Sequence, residues 1–236
     1  MLLYQPINGY CYNSDTHFLF AFIKENLKKF KNIQGRVLDV GSGSGILGLL
    51  IKRDFPKISL DSLEIQSSFQ FLSQKNAQIN SLESTIINAA FQDFQSDDKY
   101  DILVSNPPFY PTSVIKSENE NLKIARYNDS LPLEKFITSI NKNLKSNGKS
   151  FFCYDIKFLD EIMILCKEYK LNIEAIQFLH PKKDKKATLV MFFAKKNSKS
   201  SLDILPPIIM FEDGKIVKEV NKIYDMCDTY SIKVEI

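Results

Sequence analysis

A polar segment that directly follows an apolar run carries side chains suited to binding a planar amine. Residues 100–104, YDILV, are typical of a buried strand, and residues 105–110, SNPPFY, follow at once. Proline fixes φ, lacks an N–H and pushes the preceding residue towards extended geometry, so Asn106 and the carbonyl of Pro107 would be held in place. Their two oxygens could accept both N–H bonds of an exocyclic amino group, while Phe109 could stack on the ring. A proline-stiffened loop after a buried strand is the structural alternative.

A glycine-rich turn upstream is suited to a cationic ligand with a ribose. Residues 37–48, VLDVGSGSGILG, read as a short strand, a turn and the start of an apolar helix. Glycines let the backbone approach a ligand closely, and a carboxylate at Asp39 would repel a pyrophosphate but suit a cation. Glu64 ends the next predicted strand, residues 58–64, ISLDSLE, roughly twenty residues further on, where a carboxylate binds ribose hydroxyls in folds of this type.

These motifs in this order resemble those of a known enzyme class. Three features resemble those of class I S-adenosylmethionine-dependent methyltransferases that act on exocyclic or amide nitrogens. They are the spacing D-x-G-x-G-x-G, an acid after the second strand and N-P-P-F after the fourth. Residues 5–22, Ala125-Arg126-Tyr127 and residues 207–210 further resemble the bacterial family that methylates adenine N6 in a valine tRNA, at the purine beside the anticodon. The resemblance therefore covers nearly the whole chain.

The resemblance implies S-adenosylmethionine as cofactor, a tRNA as substrate and a set of site residues. The catalytic residues would be Asn106, Pro107, Pro108 and Phe109. The cofactor-binding residues would be Asp15, Asp39, Gly41, Gly43, Gly45, Glu64 and Asp93. Asp15 could instead be a plain helix cap, and Phe91 is the alternative to Asp93 at the cofactor adenine. The residues on the RNA would be Tyr110, Lys116, Lys123, Arg126, Lys182, Lys183, Lys185 and Lys186.

The pattern of apolar residues predicts an α/β fold with a Rossmann-like, seven-stranded sheet and helices on both faces. The sheet would be mostly parallel, and only its edge hairpin, near 173–178 and 188–194, would be antiparallel. Residues 1–13 should form an irregular arm over the cofactor, followed by a helix from Ser14 or Asp15 to about Phe30. We expect a methyltransferase domain over 1–197, a small appendage over 198–236 packed on it, and a polar loop over 110–130 that covers the substrate.

Composition limits the class of protein. The chain has 236 residues and a net charge of +3, enough for one sizeable core but too little charge to indicate nucleic-acid binding by itself. The clustered lysines after residue 181 are either a solvated loop or contacts to RNA phosphates. No apolar run reaches the roughly 18 residues that span a membrane, and we expect a cytoplasmic monomer with reduced thiols. The four cysteines and two histidines show no metal-ligand spacing, so no metal is expected.

Other substrates and one other class of protein stay open on the residues alone. The N-P-P-F motif also occurs in ribosomal RNA guanine-N2 methyltransferases, and N-P-P-Y occurs in release-factor glutamine methyltransferases. The extra domains usual in those enzymes would find little room in 236 residues, and DNA adenine methylation would call for a larger recognition domain. A non-catalytic, cofactor-binding RNA-binding protein is the remaining alternative, although Asn106, Pro107 and Pro108 are intact.

Overall fold

The computed structural model describes residues 1–8, 11–107 and 131–235, and contains two sheets surrounded by helices. The strands are β1 Leu2–Pro6, β2 Gly35–Val40, β3 Ile58–Glu64, β4 Thr85–Asn88, β5 Tyr100–Ser105, β6 Leu144–Asp155, β7 Leu171–Lys182, β8 Leu189–Lys196, β9 Asp203–Ile204, β10 Ile208–Glu212, β11 Lys215–Ile216 and β12 Tyr230–Val234. The α-helices are α1 Ser14–Leu27, α2 Ile46–Asp54, α3 Ser67–Ile79, α4 Leu133–Asn143, α5 Leu159–Glu168 and α6 Lys218–Cys227, with a 3-10 turn at Ile156–Phe158.

The main sheet confirms the predicted α/β class. Its order is β11-β10-β7-β8-β6-β5-β2-β3-β4, with β9 also on β7. The strands from β4 to β6 are mutually parallel, while β8 runs antiparallel to β6 and β7. The central strands β2 and β5 are buried because their apolar side chains face helices on both sides of the sheet. Their carboxyl ends therefore lie together at one edge, where open α/β sheets bind ligands.

The sheet is wider than expected. The ten strands described include the predicted seven and three more from the C-terminal segment. Strand β10 pairs in parallel with β7 through Ile208↔Leu179 and Phe211↔Lys182, so the predicted edge hairpin lies inside the sheet. The C-terminal segment thus adds strands to the main sheet, while the division of the chain at residue 197 stays a prediction.

The prediction of an irregular N-terminal arm is wrong for residues 2–6. These residues form β1, which pairs in parallel with β12 at the other end of the chain, from Leu2↔Tyr230 to Pro6↔Val234. The predicted helix cap also needs correction. Asn13 is the N-cap of α1, since its side-chain oxygen accepts the N–H of Asp15. Local pattern could not reveal β1, because its partner is more than two hundred residues away.

Candidate functional site

A cleft at the carboxyl edge of the sheet brings the two sequence motifs together. It is lined by the glycine-rich turn after β2, the ends of β3 and β5, and residues that precede α1 and α3. The motif residues that line it are Asp39, Gly41, Gly43, Glu64, Asn106 and Pro107. Its empty space is about 1070 Å³ counted out to the open mouth, which is the size of a small-molecule site.

The glycine-rich turn adopts a backbone conformation that few other residues tolerate. Gly43 has φ +53° and Gly45 has φ +85°, both in the left-handed region that favours glycine. A Cβ on Gly45 would also lie 2.6 Å from Ser73 Oγ, whereas one on Gly43 would meet nothing within 4 Å. Gly45 therefore serves close packing of the turn against α3, and Gly43 leaves open space beside the cleft.

Two buried carboxyl groups face the cleft from the ends of β2 and β3. Asp39 Oδ2 accepts the N–H of Gly48 at 2.8 Å, and burial raises the pKa of this carboxyl to about 7. Glu64 accepts the N–H groups of Gly43 and Gln66, each at 2.9 Å, and burial also raises its pKa. Desolvation disfavours the ionised form of both carboxyl groups, and the charge of Glu64 also disfavours ionisation of Asp39, so a cation bound between them would favour the ionised forms.

Two buried polar atoms in the wall of the cleft have no hydrogen-bond partner among the described residues. The two atoms are Ser42 Oγ and Gln66 Oε1, and both residues line the cleft. Buried polar atoms normally have partners, so unpaired ones beside a cleft point to a ligand with donors and acceptors of its own. Hydroxyl groups and a cationic group, as in a sulfonium nucleoside, fit these atoms and the two carboxyl groups.

Asn106 follows β5 directly and has both ends of its side-chain amide engaged. Its Nδ2 donates to Thr16 Oγ1 at 3.1 Å, and its Oδ1 accepts from the thiol of Cys153 at 3.0 Å. Pro107 is buried beside it and also lines the cleft. The polar group expected to meet a substrate amine therefore lies in the same cleft as the glycine-rich turn. Pro108, Phe109 and Tyr110 lie outside the described residues.

The structure distinguishes Phe91 from Asp93, the two candidates for contact with the cofactor adenine. Phe91 is 5% exposed and lines the cleft, whereas Asp93 is exposed and does not line it. Because the turn after β4 directs Phe91 inward, the geometry favours Phe91 over Asp93, and the contact to the cofactor adenine stays a prediction. Asp15 is also absent from the lining; it accepts from Asn13 Nδ2 at 2.8 Å, and burial raises its pKa. Its neighbour Thr16 takes the position in the wall.

The lysines of the β7–β8 hairpin lie at the same edge as Asn106. Because β7 is parallel to β6, its end at Lys182 shares the carboxyl edge, and Lys182, Lys183, Lys185 and Lys186 are all exposed. The hairpin is three strands from β5 in the sheet, roughly 14 Å at about 4.8 Å per strand. Asp184 forms an exposed ion pair with Lys185, and four lysines against this one acid give the hairpin a net positive charge. Lys116, Lys123 and Arg126 lie outside the described residues.

Sequence reasoning missed two contributors to the cleft that come from the N-terminal arm. Tyr12 lines the cleft, and its hydroxyl is 2.9 Å from Ser231 Oγ in β12. Gln5, which is 1% exposed, donates to Ser44 Oγ in the glycine-rich turn and to the carbonyl of Tyr4. No local signal identifies either residue, because both depend on the pairing of β1 with β12.

Residues 1–8, 11–107 and 131–235 carry neither a candidate membrane span nor a candidate metal centre. None of the helices in these ranges combines the length and the apolar composition that a bilayer crossing requires. The same residues contain no cluster of three histidine, cysteine or acidic side chains arranged to hold a metal ion.

Curated relatives with sequence similarity are methyltransferases. The tRNA1(Val) (adenine(37)-N6)-methyltransferase of Pedobacter heparinus is 27% identical over 158 residues, which cover 66% of this chain and 67% of that protein. The release factor glutamine methyltransferase of Flavobacterium psychrophilum is 31% identical over 162 residues, which cover 64% of this chain and 56% of that protein.

A solved structure shares the fold of this chain, and a family model matches the segment that carries both motifs. A predicted O-methyltransferase of Agrobacterium tumefaciens has the same fold, with a TM-score of 0.68 at 16% identity over 93% of this chain and 99% of that one. The model of the methyltransferase small domain matches residues 15–155, from the start of α1 to the end of β6, and so includes both motifs. The chain therefore belongs to the methyltransferase small domain family and is an S-adenosylmethionine-dependent methyltransferase.

Proposed function

We propose that this enzyme methylates the exocyclic N6 of an adenine in a tRNA anticodon loop, at the purine beside the anticodon. The observation that carries the proposal is the presence of Asn106 and Pro107 in one cleft with the glycine-rich turn, Asp39 and Glu64. The relatives named as tRNA adenine-N6 methyltransferases support the choice of substrate. A base in a loop suits such a cleft, since it costs less to unstack than a base within a duplex.

The residues of the cleft would hold the cofactor by its charges and hydroxyl groups. Asp39 and the glycine-rich turn would bind the amino-acid end, Glu64 and Gln66 the ribose, and Phe91 the adenine. When bound, S-adenosylmethionine supplies an electrophilic methyl group on a positively charged sulfur. Burial raises the pKa of Asp39 and of Glu64, and the positive charge of the bound cofactor would favour their ionised forms.

Asn106 and Pro107 would activate the substrate by orientation. The lone pair of an adenine amino group is delocalised into the ring, and two acceptors on its N–H bonds draw the nitrogen towards tetrahedral geometry. Asn106 and Pro107 would thus hold the nitrogen with its lone pair towards the cofactor site, and one amino proton would pass to water. Phe109 would stack on the base, a contact worth roughly 1–3 kcal/mol in single-stranded binders.

The exposed lysines of the β7–β8 hairpin would bind the RNA backbone. Their charge lies at the edge that carries Asn106, and phosphate contacts orient a nucleic acid without reading its sequence. Tyr110, Lys116, Lys123 and Arg126 are proposed RNA contacts on the sequence alone.

Transfer of labelled methyl groups to separated tRNA, ribosomal RNA and protein fractions, followed by nucleoside or amino-acid analysis, tests the proposal. We expect N6-methyladenosine in the tRNA fraction. The similarity to a release factor glutamine methyltransferase makes protein glutamine the second candidate. Label in glutamine, or in N2-methylguanosine of ribosomal RNA, would contradict the adenine assignment while keeping the chemistry at an amino nitrogen.

A further inference from the structure

The side-chain amide of Asn106 is held between two buried groups from different elements. Thr16, in the first turn of α1, is 3% exposed and accepts from Nδ2 at 3.1 Å. Cys153, on β6, is fully buried and donates to Oδ1 at 3.0 Å. Because Ser105 pairs with Phe152 in the parallel β5–β6 ladder, Cys153 is the next residue along β6, beside Asn106.

Among the residues that the structure describes, these contacts leave one hydrogen-bonding position free at each end of the amide. A carbonyl oxygen has two lone pairs and an amide nitrogen two N–H bonds, so Cys153 uses one lone pair of Oδ1 and Thr16 uses one N–H of Nδ2. The other lone pair of Oδ1 remains for an amino group in the cleft. Burial raises the pKa of the Cys153 thiol well above its usual value, and the nearby carboxyl of Asp15 raises it further, so the sulfur keeps its proton and donates.

A rotated amide would place the wrong group at the substrate. Rotation by 180° about the last side-chain bond exchanges Oδ1 and Nδ2, so an N–H of Asn106 would then face the N–H of the substrate amine. It would also leave Nδ2 donating to the sulfur of Cys153, which is a weak acceptor. The geometry of the contacts therefore matters for the reaction and not only for the fold.

We propose that Thr16 and Cys153 are positioning residues that fix the Asn106 amide with a lone pair of Oδ1 directed at the substrate amino group. The inference rests on the proposed role of Asn106 as an acceptor for that amine. Neither residue needs to touch the substrate nitrogen, and both act through Asn106. The contacts join α1, β5 and β6, so the acceptor is fixed only when all three elements are packed together.

Variants that remove one hydrogen bond at a time test this proposal. Thr16→Val keeps the shape of the side chain and removes the hydroxyl, while Cys153→Ala removes the thiol. We expect each to lower kcat about tenfold, the effect of removing one orienting hydrogen bond. Cofactor affinity should stay at the wild-type value in Cys153→Ala, whose side chain does not line the cleft, and should change less than kcat in Thr16→Val, whose side chain does. Thr16→Ser keeps the hydroxyl, and Cys153→Ser replaces the thiol with a hydroxyl donor, so both should retain most of the wild-type rate. Cys166→Ala removes another fully buried thiol, on α5, and is the matched control that should retain the wild-type rate.

A readout that needs no substrate separates this proposal from the proposed function. In 15N-labelled protein, the two Nδ2 protons of Asn106 should give distinct, slowly exchanging signals in the wild type. They should exchange faster in Thr16→Val and Cys153→Ala but not in Cys166→Ala. If no RNA or protein accepts a methyl group while the amide signals change as expected, the proposed function fails and the positioning of Asn106 stands. Unchanged amide signals, or a decrease in rate in Thr16→Ser equal to that in Thr16→Val, would overturn it.

Discussion

The contacts of Asn106 allow a catalytic role to be tested separately from a structural one. Its side chain reaches the wall of the cleft, while the contacts that hold it come from α1 and β6 and do not include the glycine-rich turn. The cofactor would be held largely by other residues, from β2 and β3. Removal of the Asn106 amide should therefore affect methyl transfer and cofactor binding differently.

We predict that Asn106→Ala lowers turnover by a factor of about a hundred or more. Its cofactor affinity should stay within about threefold of the wild-type value. Steady-state methyl transfer and calorimetric titration with S-adenosylmethionine measure the two effects. A parallel decrease in affinity and turnover would show that Asn106 supports the cleft structurally.

Asp39 makes cofactor binding depend on pH. Its pKa is raised to about 7 by burial, and the positively charged cofactor favours its carboxylate form. Affinity should therefore rise with pH up to about 7 and fall by up to about tenfold per pH unit below it. Calorimetric titration between pH 5.5 and 8 tests this slope. Asp39→Asn should bind weakly with no such slope, whereas Asp93→Asn, an acid outside the cleft, should behave like the wild type.

The same carboxyl makes the opposite contribution to folding. A group whose pKa is raised in the folded state stabilises that state when protonated, and this contribution is lost as pH rises from about 4 through 7. In the absence of cofactor, Asp39→Asn should therefore have a higher free energy of unfolding than the wild type at pH 8. Urea unfolding at pH 5 and pH 8 measures the difference, and an equal stability difference at both values would argue against the raised pKa.

Among the helices and strands, α3 connects the N-terminal strand to the glycine-rich turn. Asn76, fully buried on α3, accepts the N–H of Tyr4 at 2.7 Å and donates to the carbonyls of Tyr4 at 3.1 Å and Ser44 at 2.8 Å. Asn80, one turn later, binds only its own helix and the backbone of Leu2 in β1. One side chain thus links β1, α3 and the cleft.

Asn76→Ala should lower the free energy of unfolding by roughly 2 kcal/mol or more, since each buried backbone group left unpaired costs about 1–3 kcal/mol. It should also weaken cofactor binding, because the glycine-rich turn then loses the hydrogen bond to the Ser44 carbonyl and keeps the contact of Gln5 with the Ser44 hydroxyl. Asn80→Ala is the control: it should destabilise the protein and leave cofactor affinity near the wild-type value. Thermal unfolding with and without S-adenosylmethionine measures both, and an equal decrease in affinity in the two variants would contradict this assignment.

Across the whole molecule, exposed lysines lie at both ends of the strands of the main sheet, the end that carries the cleft and the end opposite to it. The β7–β8 hairpin carries its lysines at the edge of the cleft, whereas Lys167, Lys170 and Lys199 are exposed near the start of β7 and the end of β8, at the opposite edge. Total charge cannot distinguish these two groups. The positions of the two groups distinguish them, because the proposed RNA, bound at Asn106, would reach only the lysines of the β7–β8 hairpin.

Changing Lys182, Lys183, Lys185 and Lys186 to alanine should raise the KM for RNA and leave cofactor affinity unchanged. The slope of log affinity against log salt concentration should fall by roughly 0.7 for each phosphate that the protein no longer binds. The triple alanine variant of Lys167, Lys170 and Lys199 is the matched control and should keep the wild-type slope. Equal effects of the two variants would favour nonspecific attraction over a binding edge.

Local pattern was sufficient to predict the elements that carry the two motifs. The strands β2 and β5 lie inside a parallel sheet and contain short apolar runs, while β3 alternates apolar and polar residues. Strand β5, Tyr100–Ser105, begins at the predicted residue and ends one residue after the apolar run 100–104. The glycine turn also follows from sequence, since only glycine adopts φ +85° at Gly45 without strain. Because carboxyl ends of parallel strands share an edge, Asp39, Glu64 and Asn106 could be grouped in advance.

Contacts between distant parts of the chain determined the rest, and no local pattern records them. The pairing of β1 with β12 places Gln5 against Ser44 of the glycine-rich turn, and Tyr12, which follows β1, lines the cleft. The packing of α1 against β6 brings Thr16 and Cys153 to the amide of Asn106. Thr16 and Cys153 each occupy an ordinary core position in sequence, a helix turn and a buried strand. They meet Asn106 because strand pairing and helix packing join segments separated by 90 and 47 residues.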